Sequence, residues 1–497
     1  METPTRRNFL KTAAVSAAAG LGESLSAQPL PPPARPQNES AHSGAPSPHP
    51  GGAIAWRITD PGRRYALAGP LAWQPAAAPA PSAPSSPQNE IFIYPQWRQQ
   101  EILGFGAAMT DAACYNLARM PRAGREALLH AFFSPRELNF SVCRTCVGSS
   151  DYSRTLYSFD EGAPDPELRR FSIAHDKAYI LPMLRRARAL NPELFLFSSP
   201  WSPPNWMKDN NSMKGGTIRR HLLPVYAQYM VKFLQAYRAA GVEINAISCQ
   251  NEVDTDQDGH MPACLFPQEV EVGYVGQNLG PALRQAGLKT AIWLIDHNYN
   301  LWGRAICELD DPDVRRFANA IAWHGYVGKP EWMQKVAAAH PGVEMYWTEG
   351  GPDYTAPDYA TDWAKWSDTF TGILRNGPRC IIAWNLVLDE RGRPNIGPFS
   401  CGGVATVSSI SKKVSYSGQF WAFNHYSRSI RRGARIVGSE GGEPGVSHVA
   451  AINPDGGYLL VLTNSTSSPR AVSIRHGDAA AALSLPADSV STLTWTS

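Results

Sequence analysis

The sequence predicts an α/β chain: a (β/α)8 barrel followed by an all-β unit. Three observations carry this. Between about residues 100 and 411, eight apolar strand-like segments recur, most of them separated by a helical pattern. Near-continuous apolar strands alternating with helices imply a parallel sheet covered on both faces. Eight such units over roughly 300 residues fit a closed barrel. From about 412 onward the pattern changes to short strands such as Tyr458-Leu459-Leu460-Val461-Leu462-Thr463 and Ala471-Val472-Ser473-Ile474, with turn chemistry at Asn453-Pro-Asp-Gly-Gly457 and Ser468-Pro469.

The elements follow in order. Thr5-Arg6-Arg7-Asn8-Phe9-Leu10-Lys11 precedes an apolar run at 12–21 that is too short for a membrane helix. Paired arginines ahead of such a run read as a twin-arginine signal peptide over 1–27, with small residues at 24–27 as the cleavage region. Residues 28–53, rich in Pro, Ser, Gly and Ala, read as a linker. Residues 54–98 regain Ile, Trp, Tyr and Leu, with a Pro/Ala/Ser loop at 75–90. The catalytic barrel is assigned to 99–411 and the β unit to 412–497. Its strand segments are 104–110, 140–147, 194–199, 244–250, 290–296, 321–326, 343–348 and 381–386. Leu222, Leu223, Tyr226, Met230, Phe233, Leu234 and Tyr237 recur at three- and four-residue steps, and Gly241 ends that helix. Ile180, Leu181, Leu184, Ala187 and Leu190 behave alike. No Gly-x-Gly-x-x-Gly turn completes a phosphate cradle after the first strand, which weakens a doubly wound sheet as the alternative.

Composition excludes other classes. The 497 residues carry 46 Lys and Arg against 43 Asp and Glu, a formal charge of +3. A chain so near neutrality, 43% hydrophobic and 18% charged, is neither disordered, nor a coiled coil, nor a nucleic-acid binder relying on a basic surface. No stretch reaches the ~20 apolar residues of a membrane span, so no stable membrane insertion is expected. Eight cysteines are irregularly spaced. Cys143-x-x-Cys146 lies in a strand, where i and i+3 point to opposite faces. Buried thiols are therefore expected there, although export would allow some cysteines to pair.

In a (β/α)8 barrel the active site lies at the C-terminal strand ends. Those ends collect Asp111; Arg144 leading to Asp151; Trp201 and Trp206; Gln250-Asn251-Glu252; Asp296-His297-Asn298; Trp323-His324-Gly325-Tyr326; Trp347-Thr348-Glu349-Gly350-Gly351; and Trp384-Asn385. Paired histidine ligands are missing from this mouth, so no metal and no organic cofactor are expected. Aromatic faces beside amides suit a sugar, which stacks its C–H faces and hydrogen-bonds its hydroxyls. Glu252 and Glu349 end strands four and seven, on opposing sides of the ring. Two carboxyls about 5–5.5 Å apart perform retaining glycoside hydrolysis. Glu349 is the expected nucleophile, held ionised by Arg144, and Glu252 the acid and then base. Asn251 is placed to donate to the sugar 2-hydroxyl.

The segments Gly104-Phe-Gly-Ala-Ala-Met-Thr-Asp-Ala-Ala113, Ser199-Pro-Trp-Ser-Pro-Pro-Asn-Trp206, Asn251-Glu252, Trp323-His-Gly-Tyr326, Thr348-Glu-Gly350 and Trp384-Asn-Leu386 resemble glycoside hydrolase family 30, that of glucosylceramidase and the β-1,6-glucanases. The resemblance runs from about residue 90 to 497. It implies that Glu252 is acid/base and Glu349 nucleophile, and that Asp151, Trp201, Asn251, Tyr326 and Trp384 line the first sugar pocket; His324 joins this substrate-binding set. It also implies one β-sandwich built from the C-terminal tail and the segment before the barrel. The expected function is a retaining β-glycosidase acting on a carbohydrate or glycolipid, exported to the periplasm or outside the cell. Glucosylceramidase-type specificity would place it in sphingolipid turnover. Action on β-xylosides or β-galactosides, or an inactive glycan-binding barrel, are the alternatives. Gly325 stands where glucosylceramidase has the central Trp of His-Trp-Tyr. Asp254-Thr-Asp-Gln-Asp258-Gly259 copies the first half of a calcium loop, but Leu265 replaces the bidentate Glu such a loop needs. A solvated acidic rim loop is expected instead.

Overall fold

In the computed structural model, which describes residues 51–76 and 89–496, eight parallel strands form a ring. They are β1 (Gly104–Ala107), β2 (Val142–Val147), β3 (Phe195–Pro200), β4 (Ala246–Ser248), β5 (Ala291–Asn298), β6 (Ala320–His324), β7 (Glu344–Glu349) and β8 (Cys380–Ala383). β8 pairs with β1, and the ring closes between β1 and β2 through an Ala108–Arg144 bridge and a 2.8 Å bond from Met109 N to Arg144 O. Each strand lies within or overlaps its expected segment. Helices Ile180–Leu190 and Leu223–Ala239 occupy the two periodic stretches, and Gly241 leaves the second at φ +79°. The signal-peptide segment, residues 28–50 of the linker and most of the 75–90 loop fall outside the described residues.

Side chains alternate along a strand with period two. The lower barrel layer is apolar: Val142, Phe197, Ala246, Trp293, Ala322, Tyr346 and Ile382. Trp293 stacks on Tyr346 at 3.8 Å between ring centroids. Two residues further along most of these strands come Arg144, Ser199, Ser248, His324, Thr348 and Trp384. The same alternation that fills the barrel thus presents a polar layer directly above it.

The second unit is a large, mostly antiparallel sheet assembled from both ends of the described chain. Strand Gly51–Asp60 pairs with Ser489–Thr496, and Glu90–Glu101 lies between Arg435–Gly441 and Arg470–His476. The segment before the barrel and the tail therefore share one β unit. One face closes over Ile54, Ile91, Leu460, Ile474 and Leu493. The other, with Val449, Leu459, Val461 and Val490, merges with the barrel's core. The expectation of an all-β tail from 412 is corrected: Gly418–Tyr426 is a helix, capped where the Ser417 hydroxyl accepts from Phe420 N. Eight of its nine residues are buried, so it shows no amphipathic period to read.

The eight cysteines are all free, seven buried and Cys307 exposed. Cys143 faces the barrel–helix core and Cys146 the mouth, on opposite sides of β2 as expected. Burial pushes the Cys143 thiol up to about 12.

His425 of that helix meets Thr59 Oγ1 and Thr492 Oγ1, each at 2.8 Å, where barrel and sheet join. Burial, with help from Arg57, pushes its pKa down to about 3; burial and Arg375 bring His448 to about 4. Unfolded histidines take up a proton near pH 6.5, whereas these stay neutral in the fold until far lower pH. Stability is thus fully present above pH 6.5 and falls on acidification, by up to about 1.4 kcal/mol per pH unit for each residue. Urea denaturation from pH 7 to 4.5 should show this decline, and His425→Gln should remove about one proton's share of the slope.

Candidate active site

Arg144, completely buried at the middle of β2, organises the polar layer. Its Nη1 donates to Glu349 Oε2. Its Nη2 lies 2.7 Å from Asp296 Oδ2, 2.7 Å from Asn251 Oδ1 and 3.0 Å from Ser199 Oγ. Since a guanidinium can only donate, Asn251 must present its oxygen inward, which leaves its NH2 as donor. The guanidinium sits over Trp201 at 4.7 Å and Trp384 at 5.4 Å, and those two rings stack at 5.1 Å.

Asp296 is the second hub. It accepts from Ser248 Oγ and Thr348 Oγ1 at 2.8 Å each, from Ser199, and pairs with His324 Nε2 at 3.1 Å. Burial pushes its carboxyl up, but the Arg144 charge and the bonds from His324 and Ser199 outweigh it and hold the group well below the carboxylate range. Burial pushes the His324 ring down, yet the Glu349 charge and its bonds to Asp296 and Glu252 raise it above the usual histidine value.

Glu252 and Glu349 come together as the sequence anticipates. One carboxylate oxygen from each and a nitrogen of His324 all lie within 4.8 Å of one another. Tyr326 donates to Glu349 Oε1 at 2.9 Å, so both oxygens of Glu349 hold donors. Glu252 holds Gln257 Nε2 at 2.6 Å on Oε2 and His324 Nδ1 at 3.3 Å on Oε1. Two carboxylates and an imidazole also make a possible ligand set for a cation. Here the Arg144 guanidinium already stands against Glu349 as the positive charge.

The remaining candidates are placed as follows. Trp201 and Trp384 belong to the apolar cluster at the mouth, with Tyr152, Met261 and Phe399. Asp151 is buried in the loop after β2, where its carbonyl accepts from Ile396 N at 2.8 Å. Trp206 packs in the main core, its ring N–H donating to the Asp160 carbonyl at 3.1 Å. His324 departs from the sugar contact expected of it. Both ring nitrogens face carboxylates, Glu252 on one side and Asp296 on the other, so it is a bridge beneath the pair.

Gly325 has a local explanation. A Cβ there would lie 2.8 Å from Trp347 Cζ2, and one at Gly350 would lie 2.3 Å from Trp347 Cη2. The Trp347 ring thus occupies the wall between the two glycines, supplied from β7 rather than β6. A cleft of about 430 Å³ starts at Tyr326, passes Gly350 and Gly351, and reaches Trp366 and Cys401.

Two residues that bond directly to this cluster are not singled out from sequence. Asp296 stood at a recognised strand end beside His297. Its inward turn depends on an irregularity in β5, with Ile295 at φ +73° and Asp296 at φ +45°. Gln257 lies in the acidic loop after β4. Asp254 and Asp258 are exposed as expected, but Gln257 turns inward.

A (β/α)8 barrel with two glutamates facing each other at its mouth is the frame of a glycoside hydrolase. Residues 102–430 match the Glycosyl hydrolase family 30 TIM-barrel domain and residues 433–493 the family's beta sandwich domain; the chain belongs to this family. It is 34% identical over 387 residues to an endo-1,6-beta-D-glucanase of Neurospora crassa, covering 74% of this chain and 79% of that one. It is 29% identical over 392 residues to putative glucosylceramidase 1 of Caenorhabditis elegans, covering 74% and 75%. Among solved structures, the endo-beta1,6-glucanase BT3312 superposes with a TM-score of 0.79 at 27% identity, over 90% of this chain and all of that one.

Asp296→Ala should strand Arg144 and His324 without their shared counter-ion. Breaking such a buried pair costs about 3–5 kcal/mol, which urea denaturation at neutral pH should read as a lower midpoint with an unchanged m-value.

Proposed function

We propose that this enzyme hydrolyses β-1,6-glucan with retention of configuration, Glu349 acting as nucleophile and Glu252 as acid/base. The observation that carries it is the 4.8 Å gathering of the two glutamates, with Arg144 bound to Glu349 and not to Glu252. Retaining chemistry needs a separation of about 5 Å and two carboxyls in opposite protonation states.

Charge balance supports the assignment. Arg144, with His324 raised above the usual histidine value beside it, stands among the buried carboxyls of Asp296 and Glu349. A further anion in the same low-dielectric cluster would face these carboxyls, which favours the protonated form of Glu252 that a general acid needs. Glu349 attacks the anomeric carbon while Glu252 gives its proton to the departing oxygen. Ester formation then consumes the Glu349 charge. With that repulsion gone Glu252 holds a proton less tightly, which suits it to accept one from the incoming water. Asn251 donates to the 2-hydroxyl, and Trp201, Trp384, Asp151 and Tyr326 line the first sugar pocket.

The substrate follows from the glucanase relatives, and the aromatic cleft beyond Tyr326 offers room for further sugar units of a chain. A glucosylceramide is the second reading, favoured by the glucosylceramidase relative. The Arg6-Arg7 segment supports export through the twin-arginine route. No helix among the described residues is long and apolar enough to cross a membrane.

Linear β-1,6-glucan should be cleaved faster than xylan or glucosylceramide, with a β-anomeric product seen first by NMR. Glu349→Gly with azide should give the α-glycosyl azide, and Glu252→Ala with azide the β-glycosyl azide. The opposite stereochemical pattern would exchange the two roles.

A further inference from the structure

The loop leaving β4 spends its polar side chains on its own shape. Thr255 Oγ1 accepts from Gln257 N at 3.0 Å, and Asp256 Oδ1 from Asp258 N at 3.1 Å. Gln257 and Asp258 both hold left-handed backbone, at φ +53° and +49°. Consecutive non-glycine residues keep that conformation only where their surroundings impose it. The surroundings here are the neighbouring rim loop. Leu265 N bonds Gly216 O at 2.9 Å and Ala263 N bonds Met213 O at 3.1 Å. Buried Lys208 donates to the Gly215 and Ala263 carbonyls, tying the two loops together. Gly215 is required at the crossing, since a Cβ there would lie 3.1 Å from Gly259 Cα.

What this clamp delivers is one amide. Gln257 is 1% exposed, its Nε2 is 2.6 Å from Glu252 Oε2, and its Oε1 is buried without a hydrogen-bond partner. Of the two amide atoms only the nitrogen can donate to a carboxylate. We propose that Gln257 is a positioning residue for Glu252: its short 2.6 Å bond commits Oε2 as an acceptor, so that Oε1, held only by the longer 3.3 Å contact with His324, is the oxygen that loses and regains the catalytic proton. In the first step that proton passes from Oε1 to the leaving oxygen; in the second, Oε1 takes one from water. The groups facing Glu252 are His324 from β6, Glu349 from β7 and, one contact further, Asp296 of β5 and Arg144 of β2. Asp254 and Asp258 of its own loop are exposed.

The inference rests on Glu252 being the acid/base, so that is tested alongside. For Glu252→Ala, kcat/KM should collapse on phenyl β-glucoside and stay near wild type on 2,4-dinitrophenyl β-glucoside, whose leaving group needs no proton. Equal loss on both would overturn the role of Glu252 itself. A donor to a carboxylate favours its ionised form. In Gln257→Glu and Gln257→Met, therefore, the basic limb of kcat/KM against pH should move upward by about half to one unit. kcat/KM should fall about tenfold on phenyl β-glucoside and less than twofold on the dinitrophenyl substrate. The near-isosteric Glu variant carries the test if the Met variant fails to fold. An unmoved limb with equal loss on both substrates, while Glu252→Ala behaves as an acid/base variant, would overturn the proposal and leave Gln257 as a loop residue only.

Discussion

A guanidinium with no exposure to water constrains everything around it. Burying an unpaired charge costs far more than a fold can tolerate, so Arg144 dictates the company it keeps. Asp296 and Glu349 supply the negative charge, Asn251 and Ser199 take remaining donors, and aromatic rings shield the cation from the side. These partners arrive from five different strands or strand ends. The ion cluster therefore fixes the mutual register of the barrel's upper layer as well as its chemistry.

Under the proposed mechanism the same cluster explains why two like residues at one mouth do opposite work. Glu349 receives a permanent cation and a phenol, whereas Glu252 receives an amide and an imidazole. On the proposed reading the difference lies in these partners and not in burial, since both glutamates are almost fully covered. A site carried on strand ends rather than on free loops holds these differences steady between the two chemical steps.

Much of this was legible in the sequence because the signals were local. Apolar strand runs marked the eight staves, and strand-end residues marked the mouth; Glu252, Glu349 and Arg144 were all found that way. What escaped depended on backbone geometry. Asp296 and His297 are equivalent candidates until the irregularity at Ile295 turns one of them inward. Gln257 sits amid acidic residues that look solvated, and only the clamp to the 209–217 loop brings it in. His324 was placed at the mouth correctly but one level too high, because its two carboxylate partners come from other strands. Helix Gly418–Tyr426 is enclosed on nearly every side and so lacks the periodicity by which helices are recognised.

The split sheet has a consequence for biosynthesis. Trp56 donates to Ser491, 435 positions away, and the strand Gly51–Asp60, paired locally with Arg63–Leu67 and Leu71–Ala72, gains its long partner Ser489–Thr496 only when the final strand is made. Apart from the closing β8–β1 pair, the barrel's ladders join elements close in the chain, so most of it is free to form while the ribosome is still at work. That strand must meanwhile wait with an open hydrogen-bonding edge, the condition under which nascent chains stick to one another. Losing only the last eight or so residues would therefore unfasten the beginning of the described chain as well as its end.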